Sequence, residues 1–168
     1  MANNGRFLNL TNGKKTLEDG IDVSAGVADA GKIIKTDAGG LIDPSFLPST
    51  GDISVEASEA LSAGDYVNLF DDSGTVRMRL ADNSNGRPAD GYVLTAVAPL
   101  ATGVIKPLHV GVNNQLAGLT LGSRYFLGTA GAVVLTPPSA SGETVQCLGI
   151  ARSATELYQQ PEDPVLIV

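Results

Sequence analysis

From Asp52 onward the chain alternates apolar and polar residues with a period of two. Ile53-Ser54-Val55-Glu56 sets the pattern. Residues 65–70 read as a strand, Asp71-Asp72-Ser73-Gly74 as a turn, and 75–80 as the returning strand. In that returning strand Val76, Met78 and Leu80 share one face and Arg77 and Arg79 the other, which predicts a β-hairpin. Further strands are predicted over 91–97, 104–110, 124–127, 132–135, 145–151, 156–159 and 164–168. Turn signals separate them, many supplied by the 20 glycines and 9 prolines, which keep every element short. Such spacing predicts an all-β fold, a small antiparallel β-barrel or sandwich forming a knob over 51–168. The single helical candidate is 57–63, one or two turns long. The chain ends on Val165-Leu166-Ile167-Val168. Four apolar residues in a row are expected in a core strand, with pairing to another subunit as the alternative.

Residues 1–50 break this pattern. Phe7, Leu10, Leu17 and Ile21 are isolated among Gly, Asn, Asp and Lys, and neither a helical nor a strand period persists. The expectation is an extended N-terminal arm. Lys32-Ile33-Ile34-Lys35-Thr36 is a short extended piece, followed by the turn signal Asp37-Ala38-Gly39-Gly40. In Leu41-Ile42-Asp43-Pro44-Ser45-Phe46-Leu47-Pro48 the prolines push Asp43 and Leu47 out of the α region. An arm with this many apolar residues and no room for its own core is expected to dock on something else. Ile33, Ile34, Leu41, Ile42, Phe46 and Leu47 are its candidate anchors.

Composition narrows the partners. A net charge of −7, with no run of Lys or Arg, argues against a nucleic-acid partner. No apolar stretch approaches the length that spans a bilayer, and the first residues lack the apolar region of a secretory leader. A soluble protein made in a cytoplasm, with no membrane partner, is the expectation. Aromatic residues are only 5% and Trp is absent, so the core is expected to consist of Val, Leu, Ile and Ala.

Candidate chemistry is sparse. Gly26 to Lys32 nearly matches a phosphate-cradling loop, but Ile33 stands where Ser or Thr would ligate magnesium. The run Asp82 to Asp90 resembles a calcium loop, with its glycine one position early and Arg87-Pro88 interrupting the ligand ladder. A polar loop with Asx turns is the better reading. His109 is the only histidine and is expected on a strand, facing solvent or an interface. Cys147 is the only cysteine, which rules out an intrachain disulfide and a cysteine-based zinc site, and it reads as a buried structural thiol. Asp37, Asp71, Asp72, Asp82 and Asp90 fall in turns. Tyr66, Tyr92, Tyr125 and Tyr158 fall on predicted strands and read as core-edge or interface anchors with the hydroxyl outward. Nothing in these residues calls for a cofactor or a metal.

The runs Ala63-Gly-Asp-Tyr-Val-Asn-Leu-Phe70, Val76-Arg-Met-Arg-Leu-Ala-Asp82 and Ala89-Asp-Gly-Tyr-Val93 resemble virion-surface proteins of tailed bacteriophages. So do Gly118-Leu-Thr-Leu-Gly-Ser-Arg-Tyr-Phe-Leu-Gly128, Val145-Gln-Cys-Leu-Gly-Ile-Ala-Arg-Ser-Ala-Thr155 and Asp163-Pro-Val-Leu-Ile167. Residues 31–48 are similar to linkers that precede such domains in phage head and tail proteins. The resemblance covers most of the chain as a pattern of turns and apolar positions. It implies a non-enzymatic capsid decoration (cement) protein on the outer capsid surface of a virion. There the arm would bind the major capsid protein and the knob would form a homotrimer that stabilises the head. The alternative it allows is a phage fibre or tail receptor-binding subunit. A small hydrolase acting on nucleotides or glycans is the competing reading from another class, and no motif supports it.

Overall fold

The computed structural model describes residues 6–11, 14–43, 46, 51–109 and 111–168. The chain divides into two compact units, Met1–Ser49 and Thr50–Val168. The first unit holds a hairpin that apolar spacing did not announce: β1 (Arg6–Thr11) pairs antiparallel with β2 (Lys14–Asp19), setting Leu8 opposite Leu17. The overlooked signal is the Asn12-Gly13 dipeptide between them, a strong marker of a two-residue hairpin loop. The loop itself lies outside the described residues. A single 3-10 turn follows at Gly26–Asp29, and Ile21 and Ile34 form an isolated parallel bridge.

The second unit contains β3 (Ile53–Ala57), β4 (Tyr66–Asp72), β5 (Thr75–Leu80), β6 (Gly91–Val93) and β7 (Thr102–Pro107). It continues with β8 (Val112–Asn113), β9 (Arg124–Leu127), β10 (Val133–Val134) and β11 (Thr144–Val145). The last three are β12 (Cys147–Ala151), β13 (Leu157–Gln159) and β14 (Val165–Leu166). The first five close into a barrel in the order β3-β5-β4-β6-β7. Strand direction cannot alternate all the way round a ring with an odd number of members, so one seam must be parallel. That seam is β3–β5, with Glu56 opposite Arg77 and Ala57 opposite Met78. Arg77 bridges it: one guanidinium nitrogen lies 2.7 Å from Glu56 and another 2.8 Å from Asp72 on β4. A five-stranded antiparallel sheet follows, in the order β10-β9-β12-β13-β8, and β11 pairs with β14.

Alternation along the strands produces two buried clusters. On β4, Val67 joins Val55, Met78, Val93 and Ile105, a cluster drawn from the barrel strands. Its neighbour Tyr66 joins Tyr92, Tyr125, Leu127, Leu148 and Leu157, which ties the barrel to the second sheet. The bore of five strands is narrow. A Cβ on Gly103 would sit 2.5 Å from Val97 and 2.6 Å from Met78, so that position admits no side chain. Buried amides complete the junction. Gln146 both accepts from the Ala89 N–H (2.7 Å) and donates to the Ala89 carbonyl (2.9 Å), as a strand neighbour would. Asn113 donates to the Gly64 carbonyl at 2.9 Å.

Several expectations are corrected here. Residues 57–63 form no helix: the N–H groups of Ala57, Ser58 and Leu61 donate to Ala101, Met78 and Val97. These long-range bonds outweigh the helical preference of three alanines. The strand expected over 91–97 ends at Val93, and the one expected over 104–110 ends at Pro107. His109 therefore lies on an exposed turn, while Val110 falls outside the described residues. The terminal strand is not in the core. Val165 and Leu166 remain 62% and 58% exposed, because β14 has only the two-residue β11 as its partner.

Candidate interaction surface

In the first unit the sequence-predicted anchors stand on short, locally bonded segments. Ile21 donates to the Ile33 carbonyl at 3.0 Å, and Lys35 donates to the Ile21 carbonyl at 2.9 Å. This bridge holds Ile33 and Ile34 in place while leaving their side chains about half exposed, at 49% and 47%. The next turn is closed by Asp37, whose Oδ1 accepts from the N–H groups of Gly39 and Leu41 at 2.8 and 2.9 Å. Leu41 and Ile42 leave that turn at 67% and 52% exposure. Phe46 is half-buried, with its N–H donating to the Asp43 carbonyl at 3.1 Å. Leu47 lies outside the described residues. Among the described residues, neither buried cluster contains one from the first unit. Leu8 and Leu17, each 62% exposed, add a cross-strand apolar pair that the sequence reading passed over along with the hairpin.

The segments that resembled catalytic or ligand loops are occupied by their own side chains. In Gly26 to Lys32, the Asp29 carboxylate accepts from Lys32 Nζ at 2.7 Å and from the Ala25 N–H. These bonds, that of Lys32 first, hold the Asp29 carboxyl below its ordinary range. The Lys32 ammonium that a phosphate would need is thus engaged. At Asp82, burial raises the carboxyl pKa, but donors from Ser84 and the Ala130 N–H outweigh it and hold the group below the usual carboxylate range. Oδ1 closes the Asx turn on Ser84, while Oδ2 accepts from Ala130 on a distant segment. Asp71 accepts from Gly74, and Asp90 from Leu69 and Asn68. Among the described residues no three His, Cys, Asp or Glu side chains gather as a metal site. Cys147 is buried beside Arg124, whereas His109 is exposed.

The tyrosines divide in a way the sequence did not reveal. Tyr66, Tyr92 and Tyr125 are buried, and two hydroxyls point inward rather than outward. The Tyr66 hydroxyl accepts from Gln159 at 2.8 Å, and that of Tyr125 accepts from the Thr120 N–H at 2.8 Å. Only Tyr158 keeps a large exposed area, at 49%. Burial raises the Tyr66 phenol far above its ordinary range, and that of Tyr92 above it as well. The sign of the stability effect follows. Above about pH 10 an unfolded tyrosine ionises while the buried one keeps its proton, so the unfolded state gains. The Tyr66 contribution is therefore constant below that pH and falls above it, by up to about 1.4 kcal/mol per pH unit. Tyr66→Phe is expected to flatten this loss between about pH 10 and 12 in urea titrations, at a cost of roughly 1 kcal/mol near neutrality from the lost Gln159 bond.

No protein-family model matches this chain. No curated protein matches it either. Among solved structures, the N base of the head fiber gp8.5 in bacteriophage phi29 aligns with 66% of this chain and 87% of its own length, at 14% identity and a TM-score of 0.44.

Proposed function

We propose that the chain is a non-enzymatic structural protein of a virus particle. In this reading it is a capsid decoration protein: the first unit binds the major capsid protein, and the barrel unit projects from the outer surface as a knob, in sets of three. The observation that carries the reading is the exposure of Leu8, Leu17, Val23, Ile33, Ile34, Leu41 and Ile42, all within Met1–Ser49. Single exposed apolar residues are ordinary, but seven in so short a unit suit a surface that is covered in use. The resemblance of the barrel segments to virion-surface proteins supports the same reading. So does the use of the turn carboxylates as loop donors' partners rather than as a converging set. The exposed apolar strand β14 is available for contact between copies.

Leu41→Asp/Ile42→Asp tests the role of the first unit. Full burial of each parent side chain is worth about 1.5–3 kcal/mol, so affinity for particles lacking the protein should fall about a hundredfold or more. The thermal melt of the free protein should stay within about 2 °C of the parent, because neither residue belongs to a buried cluster. Unchanged occupancy on the particles would remove the first unit from the attachment.

A further inference from the structure

The loop from Asp82 to Arg87 carries Asn83-Ser84-Asn85-Gly86 at its tip. Its neck is fixed. The Asp82 N–H donates to the Arg87 carbonyl at 2.8 Å, and the Arg87 N–H donates back to the Asp82 carbonyl at 3.3 Å. Its first half is fixed as well. Asn83 is buried, its N–H donates to the Gly128 carbonyl at 3.0 Å, and its carbonyl accepts from the Thr144 N–H at 2.7 Å. The Ser84 N–H is held by Asp82 Oδ1 at 2.8 Å. The second half has no such ties. Asn85 and Gly86 are exposed, and no hydrogen bond among the described residues engages the Asn85 carboxamide or the Gly86 N–H. Gly86 stands at φ +70°, a conformation that favours glycine, and a Cβ there would meet nothing within 4 Å.

An asparagine followed by glycine has a reaction of its own. Hydroxide removes the glycine amide proton, and the nitrogen attacks the asparagine Cγ. A C–N bond forms, the bond to the side-chain nitrogen breaks, and that nitrogen leaves as ammonia after taking a proton from water. One water molecule then opens the five-membered imide. Attack at the backbone carbonyl leaves isoaspartate, and attack at the former side-chain carbonyl leaves aspartate. The reaction needs an uncrowded nitrogen, an N–H free of hydrogen bonds and a carboxamide free to turn. Of the asparagines in Thr50–Val168 only Asn85 has all three. Asn68 is buried and donates to the Pro88 carbonyl, and the Leu69 N–H after it is held by Asp90. Asn83 precedes the held Ser84 N–H. Asn113 is buried and donates to the Gly64 carbonyl. Asn114 is exposed, but the Gln115 N–H after it donates to Asn113 Oδ1 at 3.2 Å.

We infer that Asn85-Gly86 is a self-modification site, where the folded protein converts Asn85 to isoaspartate and aspartate without an enzyme. The product carries one more negative charge on a chain already at −7. In its isoaspartate form the loop's main chain is also longer by one carbon, between a neck and a first half that are both tied down. Newly made and aged copies therefore differ at one defined place, whatever the first unit binds. Full-length protein would be incubated folded and in urea, at neutral and at mildly alkaline pH, and its peptides followed by mass spectrometry. Asn85 is expected to convert in the folded protein at a rate within about threefold of that in urea, because the fold places no barrier there. Isoaspartate should exceed aspartate, and the rate should rise with hydroxide. Asn68, Asn83 and Asn113 should keep their amides while the protein is folded. Gly86→Ser should slow the reaction about tenfold or more, and in urea that comparison holds whether or not the variant folds. An Asn85 that stays intact in the folded protein while converting in urea would overturn the site. So would aspartate formed without isoaspartate, or a rate unchanged by Gly86→Ser.

Discussion

Gly149→Ala should lower the melting temperature of the protein by about 10 °C or more. A Cβ at position 149 would lie 2.0 Å from the Tyr158 carbonyl oxygen and 3.2 Å from the Gln160 nitrogen. Both are backbone atoms, so no side-chain rotation relieves the overlap. The strands β12 and β13 would have to separate, and with them Leu148 and Leu157, both fully buried. Overpacking of this kind costs about 3 kcal/mol, and a loss of that size moves the transition of a domain this long by roughly 10 °C. Gly118→Ala is the control. Its φ of +69° strains any side chain, but a Cβ there meets nothing within 4 Å. That substitution should cost only about 1 kcal/mol. Equal effects from the two would show that the close approach of β12 to β13 does not govern stability.

A chain reduced to residues 51–168 should fold and should no longer bind particles. Both buried clusters lie within Thr50–Val168, as do the barrel and the second sheet, so removing the first unit takes no side chain from either core. Circular dichroism of the truncated chain should keep its β signature and its melting temperature to within a few degrees. Attachment is different. If several apolar anchors of the first unit each contribute about 1.5–3 kcal/mol, their joint removal leaves no measurable occupancy on particles at micromolar protein. An aggregated 51–168 chain would place part of the folding nucleus in the first unit, and a truncated chain that still decorates particles would transfer attachment to the barrel.

Much of the second unit was legible in the sequence because its strands are half-buried and alternate. Met78 between Arg77 and Arg79 reports its face directly. What escaped is what local pattern does not encode. Residues 57–63 look helical in composition, yet the N–H groups of Ala57, Ser58 and Leu61 are claimed by partners 20 or more positions away. The parallel seam follows from ring closure over five strands, which no single strand announces. Tyr66 and Tyr92 stand on the barrel but face the second sheet, so their burial depends on a layer formed by residues 112–159. In the first unit the apolar anchors were legible as unsupported hydrophobic residues, whereas their local bonding through Ile21 and Asp37 was not.

If the proposed function holds, a reconstruction of virus particles assembled with this chain tests it most directly. The account predicts barrel-sized density outside the shell, grouped in threes and present in many copies, with residues 1–50 running over the major capsid protein and Leu41 and Ile42 covered by it. Particles that lack the protein, or density in which the barrel contacts the shell while the first unit points away, would contradict it.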